Sequence, residues 1–399
     1  MSKSLPVGRV GRVRSHRLRA VRLSIAAVVL CTAALAPLPA IAATFNPLLI
    51  ISDENWRAGD SMSQAEVQAF LETQAGVLKT YACAEGGPNG LHSTVVKPAS
   101  QIIAEAASYW NVNPKLIIAT LQKEQSLITQ PWHTGKDIDP TSTHLHSTVY
   151  HLTRAMGCGV YPGSADTHPG FGDQVWTGAG KLGAAPPAGS TSAYAWYPGK
   201  KKTVKLLSST ETTVIVPLNQ PTWNLYTYTP YYPQSSVWNQ YVKFFEDPLA
   251  DPALRPVYRF YNLKTGTHFY TASELEKYRV KSKMATTYRY EGVAYRVNSL
   301  NPDNVTPLSR FFNTKTGVHF YSANASETAN VKENLASVYT YEGVAYKVSS
   351  NPVGGTPVYR FYNMKKGVHF YTASETEKKN VIDTLPTYRY EGVGYYIAP

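Results

Sequence analysis

The sequence predicts a multidomain protein with a mainly α first part and a β-rich second part built from three repeats. Three observations predict this fold class. The chain has 399 residues, more than one compact core usually holds. Helix-capping patterns fill the first half, whereas one set of motifs recurs three times towards the C-terminus. Hydrophobic residues at 43% and charged residues at 17% exclude a disordered chain.

Residues 1–43 have the pattern of a secretory signal peptide. They contain seven basic and no acidic residues, an apolar run from Leu23 to Ala36, and small residues at Ala40 and Ala42. The apolar run is shorter than the roughly 20 residues that a membrane-spanning helix needs, and no later run is longer. We therefore expect a secreted or cell wall-associated protein with no transmembrane segment after signal cleavage.

The charge of the remaining chain is unevenly distributed. Residues 44–251 carry 13 basic and 16 acidic residues, whereas residues 252–399 carry 19 basic and 11 acidic residues. A basic module attracts anionic partners, and outside the cytoplasm anionic wall polymers are favoured over nucleic acid. The alternative is a basic surface that only keeps the protein soluble.

Two cysteines remain outside the signal peptide, Cys83 and Cys158. In an oxidising compartment an even pair predicts one disulfide, which would staple the first module alone.

The first module, predicted to span residues 44–247, shows its helices through their N-terminal signals. Ser63 to Glu66 forms a capping box ahead of an apolar pattern, and Asn113-Pro114 is an N-cap followed by proline at the first helical position. Further segments with periodic patterns are 100–110 and 147–156 as helices and 212–216 as a strand. A linker over residues 248–256 follows.

The second module, residues 257–399, consists of repeats over 257–300, 308–350 and 358–399. Their shared motifs are R-F-[YF]-N, H-F-Y and Y-E-G-V, and their histidines are 51 and 50 residues apart. Each unit reads as two strands, a short polar helix and a third strand. Three such copies fit a closed three-fold body, for which a β-trefoil is a candidate, although the helix in each unit argues against it.

These copies resemble a repeat domain of unknown function found at the C-termini of secreted bacterial enzymes. The resemblance implies surface or sugar binding. The recurring side chains that could line three ligand pockets are Arg259, His268, Tyr270, Arg310, His319, Tyr321, Arg360, His369 and Tyr371. The alternative is that they are the structural consensus of the unit, paired with Glu276, Glu327 and Glu377.

Glu124 is the candidate catalytic residue of the first module. The helix that opens at Asn113-Pro114 is almost wholly apolar, and Glu124 lies near its C-terminal end. Loss of solvation and the negative end of the helix dipole both favour a protonated carboxyl there. Such a carboxyl is what glycosidic bond cleavage needs beside the leaving oxygen. The alternative is a solvated glutamate paired with Lys123 or another neighbour.

The segment Leu121-Gln-Lys-Glu-Gln-Ser126 resembles the catalytic helix of the lysozyme-like, soluble lytic transglycosylase superfamily. Together with Ala155-Met-Gly-Cys158, Gly170-Phe-Gly-Asp-Gln174 and Leu225-Tyr-Thr-Tyr-Thr-Pro230, it is similar to secreted actinobacterial proteins of this type. The resemblance implies a lysozyme-like catalytic domain in which Glu124 is the general acid/base on a β-1,4 bond of peptidoglycan. It also implies that Gln174, Tyr226 and Tyr228 bind substrate or steady the glutamate.

A second carboxylate would determine the reaction type. The candidates are Asp137, Asp139, Asp166 and Asp173. With a base that positions water, the glycan is hydrolysed; without one, a hydroxyl of the substrate attacks and forms an anhydro-sugar.

Other chemistries are not supported by the sequence. His144, His146 and His151 do not share one helix face, so no metal site is expected. No cofactor or nucleotide is expected because no phosphate-cradling glycine loop is present. The sequence thus predicts a secreted peptidoglycan glycosidase with a surface-binding module; a non-catalytic glycan-binding adhesin or lectin is the alternative.

Overall fold

The computed structural model describes residues 44–84, 95–131, 148–159, 168, 170–187, 189–298, 305–349 and 353–397. The signal peptide predicted for residues 1–43 lies outside these ranges.

Four helices lead to the segment that carries Glu124: α1 (Asp53–Trp56), α2 (Gln64–Glu72), α3 (Ala99–Tyr109) and α4 (Pro114–Gln125). The predicted capping box starts α2, because Ser63 Oγ accepts a hydrogen bond from the Glu66 amide at 3.3 Å and Glu66 Oε2 accepts one from the Ser63 amide at 2.8 Å. Asn113 caps α4 as predicted, since its Oδ1 accepts from the Lys115 amide at 2.9 Å.

The described residues of the first part of the chain contain four more α-helices: α5 (Thr148–Thr153), α6 (Phe171–Gly183), α7 (Gln220–Tyr228) and α8 (Ser235–Phe244). Five short strands lie among the helices: β1 (Ala82–Ala84), β2 (Val96–Pro98), β3 (Lys202–Leu206), β4 (Thr212–Ile215) and β5 (Tyr231–Tyr232). β1 and β2 form an antiparallel pair, and the other three form a sheet in the order β4-β3-β5.

The core of this part is built by the apolar faces of α3, α4 and α6. Ile103, Ile117, Leu121 and Val175 are completely buried in it. Because α4 is buried over nearly its whole length, its polar C-terminal residues are held in place against the neighbouring loops.

Each repeat has the same order of elements. The strands and helices are β6 (Leu254–Asn262), β7 (Thr267–Thr271), α9 (Glu274–Lys283) and β8 (Tyr288–Asn298), then β9 (Val305–Asn313), β10 (Val318–Ser322), α10 (Ala325–Asn334) and β11 (Tyr339–Ser349), then β12 (Thr356–Asn363), β13 (Val368–Thr372), α11 (Glu375–Thr384) and β14 (Tyr388–Ile397). The first strand of each unit pairs antiparallel with both of the others. The second and third repeats join through β11 and β14 into one six-stranded sheet.

The Y-E-G-V motif places a β-bulge in the third strand of every repeat. In β11, Tyr341 pairs with Phe311 and Gly343 with Arg310, so that Glu342 is the extra residue. Gly343 has a φ of 102°, which favours glycine. The bulge turns Glu342 towards Arg310, whose Nε lies 2.8 Å from Glu342 Oε2. The motif therefore encodes an ion pair within the unit.

Two layers of tyrosines join the three repeats. Tyr270 Oη donates to the Tyr371 carbonyl at 2.6 Å, Tyr321 Oη to the Tyr270 carbonyl at 2.7 Å, and Tyr371 Oη to the Tyr321 carbonyl at 2.7 Å. In the second layer, the Tyr295 hydroxyl lies 2.7 Å from that of Tyr346 and 2.6 Å from that of Tyr395. These cyclic contacts satisfy buried hydroxyls and explain the recurrence of tyrosine at equivalent positions.

The first repeat packs on the helical part through residues that its two sister repeats lack. Tyr278 of α9 is buried, and its ring lies 5.3 Å from that of Phe70 in α2. The equivalent positions hold Ala329 in α10 and Lys379 in α11. The exchange of an aromatic residue for alanine and lysine fits a helix that packs on the first part of the chain only in the first repeat.

The predicted fold class is wrong. The described residues form a mixture of helices and β-sheet with a C-terminal six-stranded antiparallel sheet, and no mainly α lysozyme-like domain is evident among them. Caps and apolar periodicity revealed the helices, but β3 lies in a lysine-rich stretch without strict alternation and was not predicted. The β-trefoil candidate is wrong as well, because each unit inserts a helix between its second and third strands.

Candidate functional site

Glu124 lies at the C-terminal end of α4, with 21% of its side chain exposed. The helix ends at Ser126, whose φ of 55° turns the chain, and Gln122 Oε1 accepts hydrogen bonds from the Ile128 and Thr129 amides at 3.1 Å each. These local bonds satisfy donors just after the helix and fix the position of Glu124.

Lys123 holds one oxygen of this carboxylate. Its Nζ lies 2.7 Å from Glu124 Oε1 and also donates to Thr229 Oγ1 at 2.8 Å. The pairing with Lys123 is the alternative that the sequence left open, and it is present here. However, the carboxylate is half-buried and its second oxygen points elsewhere, so the pair does not use the whole group.

The second oxygen, Oε2, faces Gly157. A Cβ atom added at Gly157 would lie 3.2 Å from Oε2, and the φ of 67° at this residue also favours glycine. The loop around Gly157 can therefore approach the Glu124 carboxylate closely, because glycine has no side chain.

Gln174, in the first turn of α6, holds the Gly157 loop in place. Its Oε1 accepts from the amides of Met156 and Cys158 at 3.1 and 2.9 Å, and its Nε2 donates to the carbonyls of Cys158 and His168 at 2.7 Å each. The side chain has no solvent exposure. Gln174 is thus a positioning residue that acts through the loop, and its buried amide does not provide the substrate contact that the resemblance implies.

Replacing Gln174 by methionine should destabilise the protein by about 2–3 kcal/mol, because buried backbone groups lose their partners. Gln130, which is exposed after α4, provides the matched control, and Gln130→Met should cost less than about 0.5 kcal/mol. Denaturant unfolding measures both. Equal stabilities of the two variants would contradict the proposed role of Gln174.

Tyr228 closes the other side of the loop. Its hydroxyl donates to the Met156 carbonyl and lies 3.3 Å from Cys158 Sγ. Burial raises the pKa of Tyr228 well above its usual value, and Cys158 and Glu124 act in the same direction. Tyr228 therefore remains a neutral donor close to Glu124 across the physiological pH range.

Tyr226 does not face Glu124 in the same way. It is completely buried, and its hydroxyl donates to the Pro47 carbonyl at 3.0 Å. Burial raises the pKa of Tyr226 to about 12. This tyrosine supports the core and is not placed to stack on a sugar.

The predicted disulfide is not formed. Cys83, in β1, and Cys158 are both present as thiols. Cys158 is buried, and its sulfur contacts the hydroxyl of Tyr228. Burial raises the pKa of the Cys158 thiol, which disfavours the thiolate. Spacing along the chain therefore does not indicate how the two sulfurs are placed.

Of the four candidates for a second carboxylate, only Asp173 lies in the described part of the chain. Asp173 is buried in the first turn of α6, next to Gln174. Asp137, Asp139 and Asp166 lie outside the described residues, as do His144 and His146. His151 Nδ1 lies 2.6 Å from Gln125 Oε1, which places this histidine beside the end of α4.

Sequence reasoning missed the roles of Gly157 and Thr229. Both lie in motifs that the resemblance had singled out, but nothing in their spacing indicates that one approaches Oε2 and the other binds Lys123. Thr229 is 106 residues from Lys123. The glycine between Met156 and Cys158 was the local signal that could have marked the loop, because glycine allows the backbone to approach another group closely.

The recurring arginines and histidines of the repeats are engaged in internal ion pairs. Each arginine binds the glutamate of its own bulge and a helix glutamate of another repeat. The pairs between repeats are Arg259 with Glu377, Arg310 with Glu276 and Arg360 with Glu327. The histidine contacts are His268 with Glu291, His319 with Glu342 and His369 with Glu391.

These contacts form a closed cycle from the first repeat to the third, the third to the second and the second to the first. They are the arrangement that the structural alternative predicted. Tyr270, Tyr321 and Tyr371 are buried with 1% exposure each, so they do not provide the pocket walls that were expected for a ligand. The expected ligand pockets are not formed by these residues, because a closed ring of repeats buries the residues that its units share.

The ion pairs make the stability of the repeats depend on pH. Burial lowers the pKa of His268, so its neutral form is favoured in the fold. Burial opposes ionisation of Glu291, but His268, Arg289 and Arg259 hold its pKa at about 2. The unfolded chain thus binds more protons than the folded protein as the pH falls below about 6.5 and again below about 4.5.

We expect the melting temperature to fall in two stages on acidification, first below about pH 6.5 and then from about pH 4.5 towards pH 2. In His268→Gln the first stage should become smaller, and the second should shrink but persist, because Arg289 and Arg259 still pair with Glu291. Calorimetry from pH 8 to about pH 2 measures this. A melting temperature that rises on acidification would contradict the assignment.

Over the ranges that the structure describes, no helix combines the length and apolar character needed to cross a membrane. Within the same ranges, no group of three or more histidine, cysteine, aspartate and glutamate side chains is arranged to hold a metal ion.

Comparison with known families gives two matches. Residues 50–149 are similar to the N-terminal domain of LasA, and residues 238–398 are similar to a domain of unknown function, DUF5648. The second match agrees with the resemblance of the repeats to a domain of unknown function. Neither family is that of the lytic transglycosylases, so this part of the expectation is not confirmed. No curated protein and no solved structure matches the chain.

Proposed function

We propose that this chain is a secreted, cell wall-active protein that cleaves the β-1,4 glycan strand of peptidoglycan. The observation that carries the proposal is the carboxylate of Glu124, which is half-buried at the end of a buried helix and presents Oε2 to a loop clamped by Gln174. The similarity of residues 50–149 to the LasA N-terminal domain supports a secreted protein that acts on the cell wall.

Glu124 acts as the general acid/base. Its Oε1 is held by Lys123, so Oε2 is the oxygen that delivers a proton to the glycosidic oxygen. The carboxylate then takes back a proton from the hydroxyl that attacks the anomeric carbon. If that hydroxyl belongs to the sugar, the product is an anhydro-sugar and no water is consumed; if it belongs to water, the product has a reducing end.

The anhydro-forming reaction is favoured here. It needs a single carboxylate, and Glu124 presents Oε2 to the Gly157 loop. Of the candidates for a second carboxylate, Asp173 is the one that lies in the described part of the chain, and it is buried in the first turn of α6. Tyr228, a neutral hydroxyl near the carboxylate, steadies the Gly157 loop during both proton transfers.

The three-repeat module would hold the protein on the wall. Its ring of ion pairs and tyrosines makes it a rigid platform, and the aromatic contact between Tyr278 and Phe70 fixes it to the helical part. Such a platform keeps Glu124 near the glycan and raises the effective concentration of substrate.

The deciding experiment is mass spectrometry of the soluble products released from purified peptidoglycan by residues 44–399. Anhydro-muropeptides are the expected result. Products with reducing ends would retain the glycosidase but replace the anhydro mechanism by hydrolysis. The absence of any released fragment, with the protein still sedimenting with the wall, would overturn the enzyme proposal and leave a glycan-binding adhesin or lectin.

A further inference from the structure

A lysine cluster lies in the part of the chain whose net charge is negative. Lys200, Lys201, Lys202 and Lys205 fall within six residues, and they are 4 of the 13 basic residues between positions 44 and 251. Lys202 opens β3, and the other residues precede it or follow on the same strand. The cluster is therefore a positively charged segment within a part of the chain whose net charge is negative.

Two of these lysines converge on one aromatic ring. The Nζ atoms of Lys200 and Lys202 lie 4.5 and 4.1 Å from the centre of the Trp223 ring in α7. Lys200 also donates to the Ala195 carbonyl, and Lys202 donates to Thr227 Oγ1 at 2.8 Å. An ammonium group has three donors, so two remain on each lysine for a ligand.

These lysines differ from the basic residues of the repeats in their partners. The arginines of the repeat ring each bind two glutamates, whereas no carboxylate among the described residues lies within ion-pair distance of Lys200 or Lys202. Burial, with a further contribution from Lys200, lowers the pKa of Lys202 to about 8. Two neighbouring cations without a counter-charge are costly, and a bound anion would remove that cost.

The cluster adjoins the candidate catalytic residue through α7. Trp223 and Thr227 are one turn apart on the side that meets the lysines, and Thr229, just after the helix, binds the Lys123 that holds Glu124. The lysine cluster and the group that holds Glu124 are therefore linked through α7 and the residue that follows it.

We propose that Lys200 and Lys202, with Thr227 and Trp223, form a binding site for the phosphate group of an anionic wall polymer. A phosphodiester carries one negative charge and two free oxygens, so each ammonium group can bind one oxygen. The ring of Trp223 supports both cations from below. The site is independent of glycan cleavage. The sequence predicted anion binding by the repeats, but their arginines are paired with glutamates of the same module. The proposed site lies in the first part of the chain instead.

The test is titration of the protein with oligo(glycerol phosphate), followed through the indole N–H signals in an NMR spectrum. The chain has seven tryptophans, so the Trp223 signal is assigned from its absence in Trp223→Phe. The wild-type Trp223 signal should shift on titration. The double variant Lys200→Gln/Lys202→Gln should bind at least tenfold more weakly.

The matched control is Lys201→Gln/Lys205→Gln, which removes the same charge from two exposed lysines of the same segment. It should change the affinity less than about threefold. Equal losses in both double variants would overturn the site and leave a general charge effect. The other six indole signals report whether each variant remains folded.

Two further titrations define the ligand. Inorganic phosphate should shift the Trp223 signal at higher concentration than the oligomer, and binding of phosphate alone at equal affinity would replace the polymer by the free ion. A carboxylate polymer of matched charge should bind more weakly, and equal binding would overturn the assignment to phosphate. Because none of these probes contains a cleavable β-1,4 bond, the result does not depend on the proposed role of Glu124.

Discussion

Replacing Glu124 by glutamine is expected to reduce the release of soluble wall fragments by about 10³-fold. Glutamine has nearly the same shape, but it cannot donate and take back a proton, and general acid–base catalysis contributes roughly 10²–10⁴-fold. The hydrogen bond from Lys123 can still form to the amide oxygen, so the fold should be retained. Initial rates of fragment release by the two proteins measure the effect.

Glu105 of α3 is the matched control, because it is also a glutamate paired with a lysine, at 2.6 Å from Lys97, and is 36% exposed. Glu105→Gln should retain nearly full activity. If Glu124→Gln is as active as Glu105→Gln, the catalytic role is excluded. If both are inactive while both melt at the wild-type temperature, the effect is one of surface charge.

Arg259→Met is expected to destabilise the repeat ring by about 3–5 kcal/mol, the range for removal of one partner from a buried ion pair. The Arg259 side chain is 6% exposed and binds Glu291 through Nε and Glu377 through Nη1, each at 3.0 Å. Without the arginine, two buried carboxylates lose their counter-charge. The ion pair between the first and the third repeat is lost with it, while the tyrosine contacts between these repeats remain.

The third repeat supplies the control. Arg360 makes the same contacts with Glu391 and Glu327, but its side chain is 22% exposed and water reaches the pair. Arg360→Met should therefore cost about 1–2 kcal/mol, between the values of exposed and buried pairs. Denaturant unfolding measures both variants. The explanation by burial is wrong if Arg360→Met proves the more destabilising of the two.

The local features of the fold could be predicted from the sequence. The start of α2 at Ser63 and of α4 at Asn113 depends on hydrogen bonds that span two or three residues, so the sequence contains all their partners. The three copies of the C-terminal unit were equally evident. Thus the elements were predicted where each depends on its own neighbours.

The partners of the functional groups could not be predicted in the same way. Lys123 binds Thr229 across 106 residues, and Arg259 binds Glu377 across 118 residues. The charge pattern pointed to the repeats as the anion-binding part, yet their arginines are neutralised by glutamates from other units. The net charge of a segment counts all its basic groups. Which of them can bind a ligand depends on the groups that pack against them in the fold.

By itself the sequence determined the helix starts, the number of repeats and the choice of Glu124 as the candidate acid. Only the tertiary structure decided the fold class, the thiol state of the cysteines, the buried role of Gln174 and the pairing of the repeat arginines. The physical reason is the range of the interactions. Caps, turns and periodicity are set within a few residues, but burial and ion pairing depend on surfaces that meet only when distant segments pack.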